Sequence, residues 1–314
     1  MKIAIAQIDS TFGDVKANLE RHIEYIQKSI HEGAELIVFP ELSLSGETLG
    51  PEAEDVSLAT DSATLDQICQ LSQAIDIVVG INERSETSLY NRYNAAFYFS
   101  NRMLVHRHRK LFLVNYAVFE EAKHYAPGNN LQAFDTNHGR ACMLVCNDVW
   151  HSPSAYIAAL DGAEIMIVLA NSARGTLKDR LNIPSTWEHM NRANSAMLGF
   201  YTIFANRVGL RRDMYGEYPY WGGSEIIDPQ GEVVIKAPYD EEALIFGEID
   251  TAEVSLQRYR APLVRDARLW LYQQEIDRLA VKRSEAVRLP DSEKVLASTA
   301  MGDDPANPGD NGID

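Results

Sequence analysis

Cysteine is scarce in this sequence: Cys69, Cys142 and Cys146 are the only three in 314 residues. So few thiols cannot build a disulfide framework, and a reducing, cytoplasmic setting is the expectation. Long apolar runs are missing too. No stretch of about 18 apolar residues occurs, so no transmembrane helix is expected. The opening MKIAIAQIDSTFGD alternates and is broken by Asp9, which reads as a first strand rather than a signal peptide. Basic charge is in deficit, with 29 Lys and Arg against 45 Asp and Glu, for a formal charge of −16. Such a surface repels phosphate backbones and anionic headgroups, which argues against nucleic acid or membrane as partner. His106, His108, His124, His138 and His151 invite a metal, but no H-E-x-x-H or C-x-x-C spacing accompanies them, so no metal site is expected.

What is present is a recurring rhythm of short apolar runs and helical segments. Lys2–Gln7, Glu35–Phe39, Ile77–Ile81, Ala141–Val145, Glu164–Ala170 and Tyr201–Asn206 read as strands. Asn94–Ser100 and Met103–His106 read as a hairpin turning near Asn101-Arg102, and Gly222-Gly223 as a turn before Glu225–Asp228. Between them, Val15–Glu32 places Leu19, Ile23, Ile26 and Ile30 on one stripe, and Ser62–Ile75, Ser154–Asp161 and Trp187–Leu198 are further helices. Fully apolar strands alternating with helices predict an α/β fold whose sheets are covered by helices, and the hairpin makes the sheets mixed. Thr251–Ser284 reads as a helical arm, with a subunit interface and packing on its own domain both open. The expected organisation is a domain over 1–271, a helical arm over 272–289 and a disordered acidic tail over 290–314. From Pro290 that tail holds six acids against one Lys, a net charge of −5, and almost nothing to pack.

Three polar residues stand at predicted strand ends: Glu41 in Phe39-Pro40-Glu41-Leu42, Lys110 in His108-Arg109-Lys110-Leu111, and Cys146 in Cys146-Asn147-Asp148. Ligands of α/β proteins gather at the carboxyl ends of strands, so the three can meet although 105 residues separate the first from the last. A cation lowers a thiol's pKa, a carboxylate takes its proton, and an ammonium holds the oxyanion formed when the thiolate attacks a carbonyl or nitrile. A thioester follows, which water opens. The same residues also admit structural readings: a small buried Cys, a solvated basic turn and a helix-start acid. Cys142 and Cys146, four apart in an extended chain, stand ~13 Å apart at ~3.3 Å per residue, too far to share an ion or a disulfide. Cys142 is therefore read as core.

These segments together resemble the nitrilase superfamily of carbon–nitrogen hydrolases, with a match running from Met1 to about Leu271. The F-P-E, R-K-x-x-L-like and C-x-D segments are joined by Glu121, 11 residues after Lys110 and six before Pro127-Gly128. Asn206-Arg207-Val208-Gly209, Gly222-Gly223-Ser224 and Asp228-Pro229-x-Gly231 add to the likeness. The resemblance implies an α-β-β-α sandwich with two mixed sheets between helix layers, a homodimer or higher homo-oligomer, and no metal or organic cofactor. It further implies Glu41 as base, Cys146 as nucleophile, Lys110 and the Asn147 backbone N–H as oxyanion hole, and Glu121 completing the site. Asn147 stands where family members often have Tyr, Glu or Trp. Tyr116, Trp150, His151, Asn171, Ser172 and Trp221 are expected to line the pocket with it. The expected activity is hydrolysis of a small linear or carbamoyl amide through a Cys thioester, releasing ammonia or an amine. A nitrile hydrolase using the same residues and an inactive dimeric scaffold are the alternatives. The segment Asn115–Phe119 looks closest to glutamine-hydrolysing members, although the large ligase domain that would use the ammonia is not expected here.

Overall fold

The computed structural model of the chain describes residues 1–46, 56–88, 90–176, 181–213 and 216–287. Strands β1 (Lys2–Gln7), β2 (Leu36–Val38), β3 (Asp76–Arg84), β4 (Arg92–Ser100) and β5 (Met103–Arg109) join β14 (Ala243–Glu248) in one six-stranded sheet, ordered β14-β1-β2-β3-β4-β5. Strands β6 (Phe134–Thr136), β7 (Gly139–Val145), β8 (Ile165–Ala170), β9 (Tyr201–Asn206), β12 (Glu225–Ile227) and β13 (Val233–Lys236) form a second, ordered β13-β12-β9-β8-β7-β6. In each sheet three central strands run parallel and antiparallel strands flank them, so both sheets are mixed. β10 (Val208–Asp213) and β11 (Gly216–Trp221) pair as a separate antiparallel ribbon.

Alternation along the strands builds the layers. On β1, Ile3 and Ile5 point into the space between the sheets, where they meet Val38, Val78, Met143, Val145, Ile167 and Ile203. Ala4 and Ala6 point the other way, beneath α1 (Val15–His31) and α2 (Ala63–Leu71), where Leu19, Ile26, Leu65 and Ile68 cover the sheet. The second sheet repeats this. Cys142, Leu144, Met166 and Val168 face α3 (Asn147–Trp150), α4 (Pro153–Leu160) and α5 (Ile183–Leu198) through Val149, Ala155, Ala158 and Trp187. Both faces of the central strands are therefore dry, which is why they read as continuous apolar runs. Each such side chain contributes about 1.5–3 kcal/mol by leaving water. The layers are α-β-β-α, as expected.

The helical reading of Thr251–Ser284 is corrected in one respect. α6 (Thr251–Arg260) ends before Pro262, whose ring cannot continue a helix, and its Val254 is buried in the core between the sheets. The compact unit runs Met1–Arg265; a second unit begins at Asp266, and its described part holds α7 (Leu269–Val287). The acidic tail lies outside the described residues. Among those described, no helix is long and apolar enough to cross a membrane.

Candidate active site

Glu41 lies in the turn after β2, seated on β3 at Gly80. A Cβ at Gly80 would lie 2.4 Å from Leu42 N and 2.7 Å from Glu41 Cα, so only glycine lets this turn lie on the sheet. Lys110 is the first residue past β5. Gly128 donates its N–H to Lys110 O at 2.8 Å, and a Cβ there would stand 2.2 Å from Arg109 O. Glu121 opens a 3₁₀ turn, Glu121–Lys123. Cys146 stands between β7 and α3 with φ 46° and ψ −100°, the left-handed half of the map that costs a non-glycine residue ~1–3 kcal/mol. It is thus an elbow residue outside the strand, not a fifth residue of an extended run.

The four side chains meet in one cavity. Lys110 Nζ donates to Glu41 Oε1 at 2.8 Å and to Glu121 Oε1 at 2.7 Å. Glu41 Oε1 also accepts from Asn94 Nδ2 at 2.7 Å, and Glu41 Oε2 from the Asn171 backbone N–H at 2.7 Å. Glu121 Oε2 accepts from Val114 N at 2.8 Å. Lys110 and Glu41 are 1% and 3% exposed, so this network is desolvated. Two of the three ammonium N–H bonds are committed to carboxylates, and one remains to face the cavity.

The charges shift one another. Burial works to lower the Lys110 pKa, but the Glu121 and Glu41 carboxylates outweigh it and hold the ammonium well above its ordinary range. Burial, with the negative charge of Glu41 added and Lys110 opposing, raises Glu121 to about 7. Cys146 is raised well above an ordinary thiol, by burial first and by Glu41 second, against the pull of Lys110. The sequence invites the opposite expectation, a cation depressing the thiol. Two carboxylates and a low dielectric win, and the thiol is held in its protonated form.

A carboxylate that the motif C-x-D only hints at fastens the site. Asp148 Oδ1 accepts from Leu111 N at 2.9 Å and Phe112 N at 3.0 Å, next to Lys110. Its Oδ2 accepts from Val145 N at 3.0 Å, next to Cys146, and bonds His108 Nε2 at 2.8 Å. Asn94 is a second residue that the sequence reading missed; its signal is a lone amide inside the apolar strand β4.

Of the expected lining residues, Tyr116, Asn147, Trp150, Asn171 and Ser172 border the cavity. The Tyr116 hydroxyl donates to Asn147 Oδ1 at 3.2 Å, and Ser172 Oγ accepts from Trp187 Nε1 at 2.9 Å. Trp187, read from sequence only as a helix residue, also forms wall. Two expectations are corrected. Trp221 is fully buried in the outer core between Phe204 and Tyr239, and His151 is exposed and stacked on Phe112 with ring centroids 3.7 Å apart; neither borders the cavity. Trp221 ends a strand whose ribbon turns it inward, and His151 falls just past α3. Arg107 and Arg109 both pair with buried Glu83, and neither borders the cavity. Among the described residues no group of His, Cys, Asp and Glu could hold a metal. Cys142 is core, its thiol pushed up to about 12 by burial.

Residues 2–259 match the model of the carbon–nitrogen hydrolases. The glutamine-dependent NAD(+) synthetase of Acinetobacter baylyi is 28% identical over 261 residues, covering 82% of this chain and 45% of the synthetase. The chain thus spans less than half the length of that relative. The omega-amidase NIT2 of Mus musculus is 26% identical over 278 residues, covering 85% of this chain and 96% of the amidase. Among solved structures, a carbon–nitrogen hydrolase of Helicobacter pylori G27 superposes with a TM-score of 0.78 at 23% identity, over 88% of this chain and 98% of that one. A mutant of the amidase of Nesterenkonia sp. AN1, bearing the acetamide moiety of fluoroacetamide at its active-site cysteine, superposes with 0.72 at 20% identity, over 87% and 96%. With a family match from β1 into α6, the chain belongs to the carbon–nitrogen hydrolase family.

Proposed function

We propose that this chain hydrolyses the C–N bond of a small linear amide through a thioester on Cys146. The observation that carries the reading is the shared ammonium: Lys110 Nζ bridges Glu41 and Glu121 at 2.8 and 2.7 Å in the cavity that Cys146 enters from a strained elbow. Glu41 takes the thiol proton as sulfur attacks the carbonyl carbon. The oxyanion rests against the third Lys110 N–H and the Asn147 backbone N–H. Glu41 then gives its proton to the nitrogen, the C–N bond breaks, and ammonia or an amine leaves. A water that loses a proton to Glu41 attacks the thioester; the acid departs as the sulfur recovers that proton. Glu121 holds Lys110 in place and orients the incoming amide. The raised thiol pKa supports general-base activation over a preformed ion pair. The omega-amidase and Nesterenkonia relatives support an amide as substrate.

The test is ammonia release over a panel of amides and nitriles, with Cys146→Ala as control. Release from amides by the wild type that vanishes in the variant is the expected result. Silence of the wild type across the panel sinks the hydrolase reading, and release that survives in the variant sinks the assigned nucleophile. Nitriles turned over in place of amides would correct the substrate class.

A further inference from the structure

We infer that the side-chain amide of Asn171 is the element that selects a primary amide, by pairing edge to edge with the –CO–NH2 group to be cleaved. The inference rests on the hydrolase reading and narrows its substrate class. Asn171 is 7% exposed and borders the cavity, yet neither its Oδ1 nor its Nδ2 has a hydrogen-bond partner among the described residues. A buried amide left with both a donor and an acceptor unmet carries an uncompensated desolvation penalty on each group. Such a cost is recovered by an occupant that offers both complements at once. Asn171 also stands beside the chemistry, since its backbone N–H holds Glu41 Oε2 at 2.7 Å, and Glu41 must reach both sulfur and leaving nitrogen.

The geometry of amides gives this pairing its selectivity. A primary amide presents its carbonyl oxygen and one N–H side by side, which matches the Nδ2 and Oδ1 of Asn171 in a two-bond ring. An N-alkyl amide in its ordinary trans form carries the alkyl group on that edge and its N–H on the other, so it cannot form the ring. The second lone pair of the carbonyl oxygen stays open to Lys110. The leaving group on this reading is ammonia rather than an amine.

The test compares the full chain with Asn171→Leu, which keeps the shape and removes both polar atoms, and with Asn171→Ala. The ratio of kcat/KM for an aliphatic primary amide over its N-methyl analogue is measured for each. A wild-type ratio above ~10² that falls at least ~10-fold in both variants is expected from the loss of two neutral hydrogen bonds. Melting temperature is the second readout: with no partner to lose, Asn171→Leu should melt at or above the wild type. An unchanged ratio, or a melting temperature several degrees lower, would overturn the inference and make the amide a structural one. Alkylation of Cys146 by iodoacetamide against its N-methyl analogue reads the same edge without turnover. An enzyme that releases no ammonia but loses its alkylation bias in Asn171→Leu fails as a hydrolase and retains this pairing; absence of any bias in the wild type rejects the pairing itself.

Discussion

The imidazole Nε2 of His108 donates to Asp148 Oδ2 across 2.8 Å, in a pair that is 2% and 0% exposed. Through it, one carboxylate takes bonds from His108 and from three backbone N–H groups, and clamps the segment after Lys110 against the elbow of Cys146. The segments that carry the ammonium and the thiol are thereby tied together by a carboxylate that hydrogen-bonds to neither group.

Replacing Asp148 by Asn should therefore harm both stability and rate. Asparagine has one acceptor oxygen, so at least one of four donors comes to face an N–H2 group. A stability loss of ~2–4 kcal/mol in urea denaturation is expected, with kcat lowered at least ~10-fold. A variant matching the wild type in both would remove Asp148 as the fastener.

Lys110→Met leaves two buried carboxylates with no cation between them. Near neutral pH this should cost ~3–5 kcal/mol of unfolding free energy, the scale for breaking a buried ion pair from one side, and at least ~10² in rate for the lost oxyanion donor. Adding Glu121→Gln to it should restore part of the stability and none of the rate. Denaturation curves of the single and double variants check the sign.

Glu121 gives a pH dependence whose direction is fixed. Its native pKa, about 7 against an ordinary 4.5, means the folded chain holds this proton more tightly than the unfolded chain. Its contribution is therefore fully present below about 4.5 and is lost as pH rises through about 7. The unfolding free energy of the wild type, measured relative to Glu121→Gln, should fall across that window. A flat or rising difference would contradict the assignment.

His151 and Tyr116 separate wall from surface. His151→Ala removes an exposed stacked ring outside the cavity and should leave turnover within ~3-fold. Tyr116→Phe deletes the hydrogen bond to Asn147 Oδ1 and should lower kcat/KM by up to ~10-fold. Kinetics of both variants on one amide decide the matter; the reverse ranking would show the cavity wall to be misdrawn.

The central strands were legible because burial on both faces forces apolar character at every position, as in Ile165–Ala170. Less legible were β6, β10, β11, β13 and β14, which are short, at edges or half-exposed; Val233 and Val234 are both exposed on β13. Periodicity is weak where one face meets water and the other a loop. The extent of the last helical region was misjudged because Thr251–Arg260 and Leu269–Val287 share a helical composition, and only Pro262 marks the break.

For the site, residue type and place at a strand end singled out Glu41, Lys110 and Cys146, and the family resemblance added Glu121, which stands in a 3₁₀ turn rather than at a strand end. Their shared hydrogen bonds, the net upward shift of the thiol, the clamp at Asp148 and the unpaired amide of Asn171 were decided only in three dimensions. Each depends on distances and desolvation between segments as far apart as Glu41 and Asn171, 130 residues in sequence and one hydrogen bond in space. Sequence carries the groups; the fold sets the dielectric and the separations in which they act.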